Sequence, residues 1–249
     1  MFSHAHPCRS RWWTLAFYAP TAWLRLSSPA PAAGNFTWEG RDSLTSANLA
    51  GVSYQFAVNG DQRRISKTVG GTVTRFVLDQ SGPLEHVLVE NDGSNAPRRY
   101  YIHGLGLLGS IDASTNDVFT YHFNHRGDTL ALTNPSQNVT DRYAYSAFGA
   151  QATTGSTPNP FRFAGQVGIQ TDSPDLLFMR ARYYQPALGR FISQDPSGFS
   201  DGMNVFAYVG GGISNALDPS GSKGIEAAKI MRQCGADGSL VEFDITGEL

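Results

Sequence analysis

Between residues 36 and 149 the chain alternates apolar and polar positions in short runs broken by Gly, Asn and Asp. Such alternation puts every second side chain on one face of a strand. One unit recurs: an aromatic residue, a large apolar residue two positions on, and Gly six positions after the first. It is written YQFAVNG (Tyr54, Phe56, Gly60), FVLDQSG (Phe76, Leu78, Gly82), YYIHGLG (Tyr100, Ile102, Gly106), YHFNHRG (Tyr121, Phe123, Gly127) and YAYSAFG (Tyr143, Tyr145, Gly149). Successive units start 22, 24, 21 and 22 residues apart, and FTWEGRD at Phe36 reads as a worn earlier copy. This spacing marks a repeat architecture, in which a strand pair buries its aromatic face only by stacking on the next. The Gly of each unit is expected to turn the chain at positive φ. Gly70-Gly71, between RRISKTV and TVTRFV, is a two-residue hairpin signal.

Composition agrees with an all-β fold. Aromatics reach 12%, there are 27 Gly and 13 Pro, and only 16% of residues are charged, a balance that favours sheet and turns over helix. A net charge of −2 with no basic tract argues against a nucleic-acid partner. Cys8 and Cys234 stand at opposite ends and make neither a disulfide framework nor a metal-binding pair.

The organisation expected is a leader over 1–34, repeats over 35–150, a distinct segment over 151–221 and a short tail over 222–249. In the leader, Arg9 and Arg11 precede WWTLAFYAPTAWL and then SPAPAAG, the order of a secretory signal. Pro20 interrupts that apolar run and Arg25 closes it, so it is too short and broken for a membrane-spanning helix, and otherwise reads as disordered leader. In the tail, GIEAAKIMRQC (Gly224 to Cys234) reads as a short helix with Ile225, Ala228 and Met231 on one face.

Candidate chemistry concentrates in a repeated tetrapeptide. DPSG occurs at Asp195–Gly198 and again at Asp218–Gly221. Each is a favoured β-turn in its own right. Held close together, the two carboxylates would share a proton and supply an acid and a base against a peptide bond. Their separation of 23 residues is roughly one repeat period. Arg180, Arg182 and Arg190 stand ready as guanidinium partners for the pair, or as ion pairs lining a polar interior.

Other signals carry less. His122 and His125 fall on opposite faces of one strand, so no metal site is expected, and nothing calls for a cofactor. The Arg126-Gly127-Asp128 tripeptide uses a Gly that the repeat already explains. Asn35 and Asn138 open glycosylation sequons. GLGLLG (Gly104–Gly109) lacks the Lys of a phosphate loop, and no GxSxG is present.

The repeated unit resembles the YD repeat of RHS proteins, whose strand and turn read Tyr-x-Tyr-Asp-x-x-Gly. Only Asp79 keeps the Asp; Ala57, His103, Asn124 and Ser146 replace it. NPFRFAGQ (Asn159–Gln166), LLFMRARYYQPALGRFISQDPSGF (Leu176–Phe199), NVFAYVG (Asn204–Gly210) and DPSG are similar, in order and spacing, to the RHS repeat-associated core. TDSPDLL keeps the family's Asp at Asp172 but loses its Thr-Gly. Gln185 stands where Asp usually follows ARYY, GGGIS replaces an Asn-rich stretch, and Ser222 takes the place of a Leu. The resemblance implies a sheet winding into a hollow β-shell, closed by the core, with a toxic domain held inside. It also implies release of that domain by self-cleavage just after DPxG, which would make Asp195 and Asp218 the catalytic pair. Arg182 and Arg190 would then be its supports, and Gly221 and Ser222 the region cut.

The function expected is structural: a fragment of such a shell, containing and presenting a C-terminal polymorphic toxin in competition between bacteria. Partners would be the rest of the shell, the toxin and a secretion apparatus. Secretion or surface display follows, after a stay in the cytoplasm. Two alternatives are a single aspartyl self-cut and a surface module that binds carbohydrate through Tyr100, Tyr101, Tyr143 and Tyr145.

Overall fold

The computed structural model describes residues 34–40, 43–200, 202–213 and 216–226. Twelve antiparallel strands form one sheet in sequence order. They are β1 (Gly34–Trp38), β2 (Leu44–Leu49), β3 (Val52–Val58), β4 (Arg64–Val69), β5 (Thr72–Asp79) and β6 (His86–Asp92). There follow β7 (Pro97–His103), β8 (Leu107–Asp112), β9 (Val118–Phe123), β10 (Thr129–Thr133), β11 (Val139–Tyr145) and β12 (Gln151–Thr154). The fold is all-β, as the alternation requires. Consecutive hairpins explain the order, because each tight turn returns the chain beside the strand it has just left. The β4–β5 turn is Gly70-Gly71, with φ of 54° and 84°, the two positive values that a tight hairpin needs.

One face of this sheet is covered by the chain that follows it. A second sheet of β13 (Gln170–Ser173), β14 (Leu176–Met179), β15 (Arg182–Gln185) and β16 (Arg190–Phe191) lies there, with every residue of β14 and β15 buried. Phe56 and Tyr54 of β3 pack with Phe178 and Tyr183, and Tyr101, Tyr121 and Tyr143 pack with Phe161. A third cluster joins Phe163, Tyr184, Phe191 and Tyr208. Each such side chain contributes about 1.5–3 kcal/mol by leaving water, so the aromatic face of the repeats is what holds the covering segment.

Three buried arginines recur in one pattern, each stacked on a Phe ring and paired with an Asp. Arg64 lies 3.8 Å over Phe178 and pairs with Asp172. Arg126 lies 4.7 Å over Phe163 and pairs with Asp128 at 2.8 Å. Arg182 lies 3.6 Å over Phe191 and pairs with Asp195 and Asp218. A guanidinium is weakly hydrated and planar, so ring and carboxylate together satisfy it where water is excluded.

Two details of the repeat differ from the sequence reading. In the third unit Tyr101 is inside, 5% exposed, whereas Tyr100 and Ile102 are outside at 41% and 43%. YYI offers an apolar residue to either face, and the edge-on contact of Tyr101 with Phe161 at 4.8 Å fixes the choice. Positive φ belongs to Gly127 and Gly149 but not to Gly60, Gly82 or Gly106. In the first unit Gln62 takes it instead, at 62°. The cause is a side-chain cap. Asn59 Oδ1 accepts from the amides of Asp61 and Arg63, as Asn124 Oδ1 accepts from those of Arg126 and Asp128. The first unit thus runs from Phe56 through Asn59, two residues later than its tyrosine suggested.

The helix expected from Gly224 starts otherwise. Ile225–Glu226 is a strand, β18, paired with β17 (Ala216–Leu217); Leu217, wholly buried, anchors it. The rest of that expected helix, like residues 1–33 of the leader, lies outside the described residues; Gly34 opens β1.

Candidate functional site

The second DPSG turn is built against the β14–β15 connection. Ala181 donates its amide to the Ser220 carbonyl at 3.0 Å, drawing the turn onto the buried sheet. Gly221 has φ +72°, and a Cβ there would fall 2.1 Å from the Met179 carbonyl oxygen. Only glycine fits, so the chain is held at this point on both sides. Asp218 Oδ1 organises the turn from within, accepting from the amides of Gly221 (2.8 Å), Ser222 (3.1 Å) and Lys223 (3.1 Å). The Ser220 hydroxyl adds a fourth bond at 3.0 Å.

The first DPSG turn arrives from the other side of β15. Asp195 donates its amide to the Val205 carbonyl, and its Oδ1 accepts from the Ser197 amide and hydroxyl. Between the turns sits Arg182, 2% exposed. Its Nη2 lies 2.8 Å from Asp195 Oδ2 and 3.0 Å from Asp218 Oδ2. Its Nε donates to the Gly221 carbonyl oxygen and its Nη1 to that of Val205. One guanidinium thus joins two carboxylates and the peptide group that follows the turn.

The electrostatics are set by burial. Asp218 is 1% exposed, and loss of solvent raises its pKa although Arg182 and the amide donors oppose the shift. Arg180 also contacts this turn, donating to the Pro219 carbonyl and to those of Glu85 and Val167. Desolvation pulls Arg180 down to about 10. Beside it, His86 and His103 lie ring to ring at 4.8 Å; burial and the neighbouring charges lower both, His86 to about 4.

Of the residues singled out in the sequence, Asp195, Asp218, Arg182, Gly221 and Ser222 come together. Arg190 does not: it is exposed on β16 and, among the described residues, forms no ion pair with either carboxylate. Its place one residue before the buried Phe191 turns its side chain the other way. Arg126-Gly127-Asp128 is internal: Arg126 donates to the carbonyls of Ala147 and Ile213, and Asp128 accepts from the Ala164 amide. His122 is hydrogen-bonded to Thr133 Oγ1. Of the tyrosines named for carbohydrate, Tyr101 and Tyr143 are buried, Tyr145 is half-buried and Tyr100 exposed.

Sequence reasoning missed the pair of Arg64 with Asp172, the latter also 3.0 Å from Lys67. Burial works to raise Asp172, and the two cations hold it below the usual carboxylate range. The retained Asp of TDSPDLL was the available signal. A groove of about 790 Å³ beside Glu39, Leu44, Phe56 and Gln62 lies in a different region, over β1–β3. Among the described residues no three His, Cys, Asp or Glu side chains converge as metal ligands, and no helix is long and apolar enough to cross a membrane.

No family model matches the chain. Curated proteins do. The chain is 33% identical over 198 residues to the tRNA3(Ser)-specific nuclease WapA of Bacillus spizizenii, covering 75% of this chain. It is 34% identical over 222 residues to the double-stranded DNA deaminase toxin A of Burkholderia cenocepacia, covering 76%. The toxin protein Tse5 of Pseudomonas aeruginosa is 34% identical over 106 residues. The chain is related to toxin proteins. It spans 8%, 15% and 8% of these relatives' lengths, so it is similar to a limited stretch of each. Among solved structures, TcdB2-TccC3 without its hypervariable C-terminal region superposes with a TM-score of 0.59 at 21% identity, over 76% of this chain and 10% of that one. That likeness establishes the fold, a broad antiparallel sheet.

Proposed function

We propose that this chain is the closing part of an RHS-type shell, YD-like repeats followed by the repeat-associated core, that holds and presents a C-terminal toxin against other bacteria. What carries the reading is the covered aromatic face, which the repeats bury against residues 159–191. Relation to a nuclease, a deaminase toxin and Tse5 supports it, since the chain matches only a small share of each. The shell itself needs no catalysis on outside substrates; its partners are its cargo and the rest of the wall. A competition assay tests it. With a toxin domain joined after Leu249, killing of neighbouring cells should require residues 36–221, while the same toxin expressed inside a target cell should kill without them. Killing of neighbours undiminished by removal of 36–221 would overturn the reading.

A second reading, one aspartyl self-cut, is favoured by the amide between Gly221 and Ser222. Its oxygen accepts from Arg182 Nε, and its nitrogen lies 3.1 Å from Asp218 Oδ1. Arg182 is placed to stabilise charge developing on the carbonyl oxygen, and Asp218, which faces the amide nitrogen, to pass a proton to it as it departs. Asp195, 2.8 Å from the same guanidinium, is the base for a water molecule. Asp195→Asn should leave on a denaturing gel a single band where the wild type gives two; two bands in both would remove Asp195 from the chemistry.

A further inference from the structure

We infer that Ser222 is itself the nucleophile of the self-cut, attacking the Gly221 carbonyl carbon through its own hydroxyl. The inference rests on the self-cut reading and changes what attacks. Ser222 Oγ lies 3.0 Å from Ser220 Oγ, and the Ser220 hydroxyl donates to Asp218 Oδ1 at 3.0 Å. Because the Ser220 proton is committed to Asp218, the Ser222 hydroxyl is the donor between the two serines. A continuous path therefore leads the Ser222 proton to Asp218 Oδ1, which also sits 3.1 Å from the Ser222 nitrogen. One carboxylate oxygen can receive the proton from the attacking hydroxyl and return it to the leaving amine.

The step balances without a co-reactant. The Ser222 Oγ–Gly221 carbon bond forms while the Gly221 carbon–Ser222 nitrogen bond breaks. The hydroxyl proton passes through Ser220 to Asp218 and then to the freed nitrogen, leaving an ester and an amine. Developing charge on the carbonyl oxygen meets Arg182 Nε. Water then hydrolyses the ester, giving the Gly221 carboxylic acid and a free Ser222. Ser197 Oγ, 3.4 Å from the Ser222 carbonyl oxygen, closes the site on the Asp195 side.

The test follows the intact mass of the purified full chain and its variants over time. Ser222→Ala should slow the cut by about a hundredfold or more, within the range for loss of an activated nucleophile. Ser222→Cys should still cut, and added thiol or hydroxylamine should accelerate it by opening the thioester. Thermal unfolding of Ser222→Ala beside the wild type shows that the variant is folded. A wild type that cuts while a folded Ser222→Ala cuts equally fast overturns the nucleophile and leaves the aspartyl pair acting through water. A wild type that never cuts overturns the self-cut reading and this inference together.

Discussion

Arg64 in β4 and Asp172 in β13 form an ion pair with side chains only 1% and 0% exposed, joining residues 108 positions apart. Arg64 also donates to Gln170 and Tyr183 through its two terminal nitrogens, while its buried Nε has no hydrogen-bond partner among the described residues. Removing one partner strands the other charge out of water. Asp172→Ala should therefore cost about 3–5 kcal/mol, read as a lower urea midpoint with an unchanged slope. Replacing Arg64 and Asp172 together by Met and Leu should recover most of that loss.

Gly149 closes the fifth repeat at φ +87°, with a Phe163 ring atom 2.9 Å from where a Cβ would stand. Gly149→Ala meets two penalties, a left-handed backbone and a ring that must move. A destabilisation of about 1–3 kcal/mol is expected, with near-ultraviolet circular dichroism changed by the displaced aromatic.

Acid should loosen the molecule through His86 and His103. Their folded pKa values lie below the ordinary 6.5, His86 at about 4, so the unfolded chain takes up protons first as pH falls. Stability from this pair is full above about 6.5 and drains away towards pH 4. Facing the pair are Arg180, whose charge opposes protonation, and Asp79, whose charge favours it; Glu85 and Arg63, paired at 2.8 Å, lie beyond. The melting temperature should fall from pH 7 to pH 5, and His86→Gln should flatten that slope.

Arg182 and Arg190 separate position from charge. Arg182→Lys keeps the cation but loses the planar fork that meets Asp195, Asp218 and the Gly221 carbonyl at once. Self-cutting should slow by about 10²–10³, the range for loss of one carbonyl-directed donor. Arg190→Ala should alter neither the cut nor the unfolding midpoint measurably.

The fold class was legible because the repeated aromatics are the buried face itself; Phe56, Phe76, Tyr121 and Tyr143 are all inside. Register was harder to read. YYI is apolar on both faces, and only Phe161, sixty residues later, selects Tyr101. Turn chemistry hid in the same way, since the Asn59 cap moves the left-handed residue to Gln62. Ile225–Glu226 follows its partner strand and not its helical spacing, because Leu217 offers Ile225 a strand edge. At the site, Asp195, Asp218 and Gly221 could be named from the two DPSG turns and the resemblance. The role of Arg182 in joining them could not be told from that of Arg190, for proximity to β15 or β16 is a property of the folded sheet. The clamp of Arg126 and Asp128 on Ile213 and Ala164 is not legible in their tripeptide, because it depends on contacts 87 and 36 residues away.

The most direct measurement is the intact mass of the purified chain beside that of Asp218→Asn, which keeps an Oδ1 acceptor for the turn amides but cannot carry the proton. The wild type should lose residues 222–249 and yield a new N-terminus at Ser222, while Asp218→Asn stays whole. A wild type that remains at full mass, or an Asp218→Asn variant that is cut at the same bond, would contradict the self-cut and leave Asp195 and Asp218 as the two ends of a buried structural ion triad.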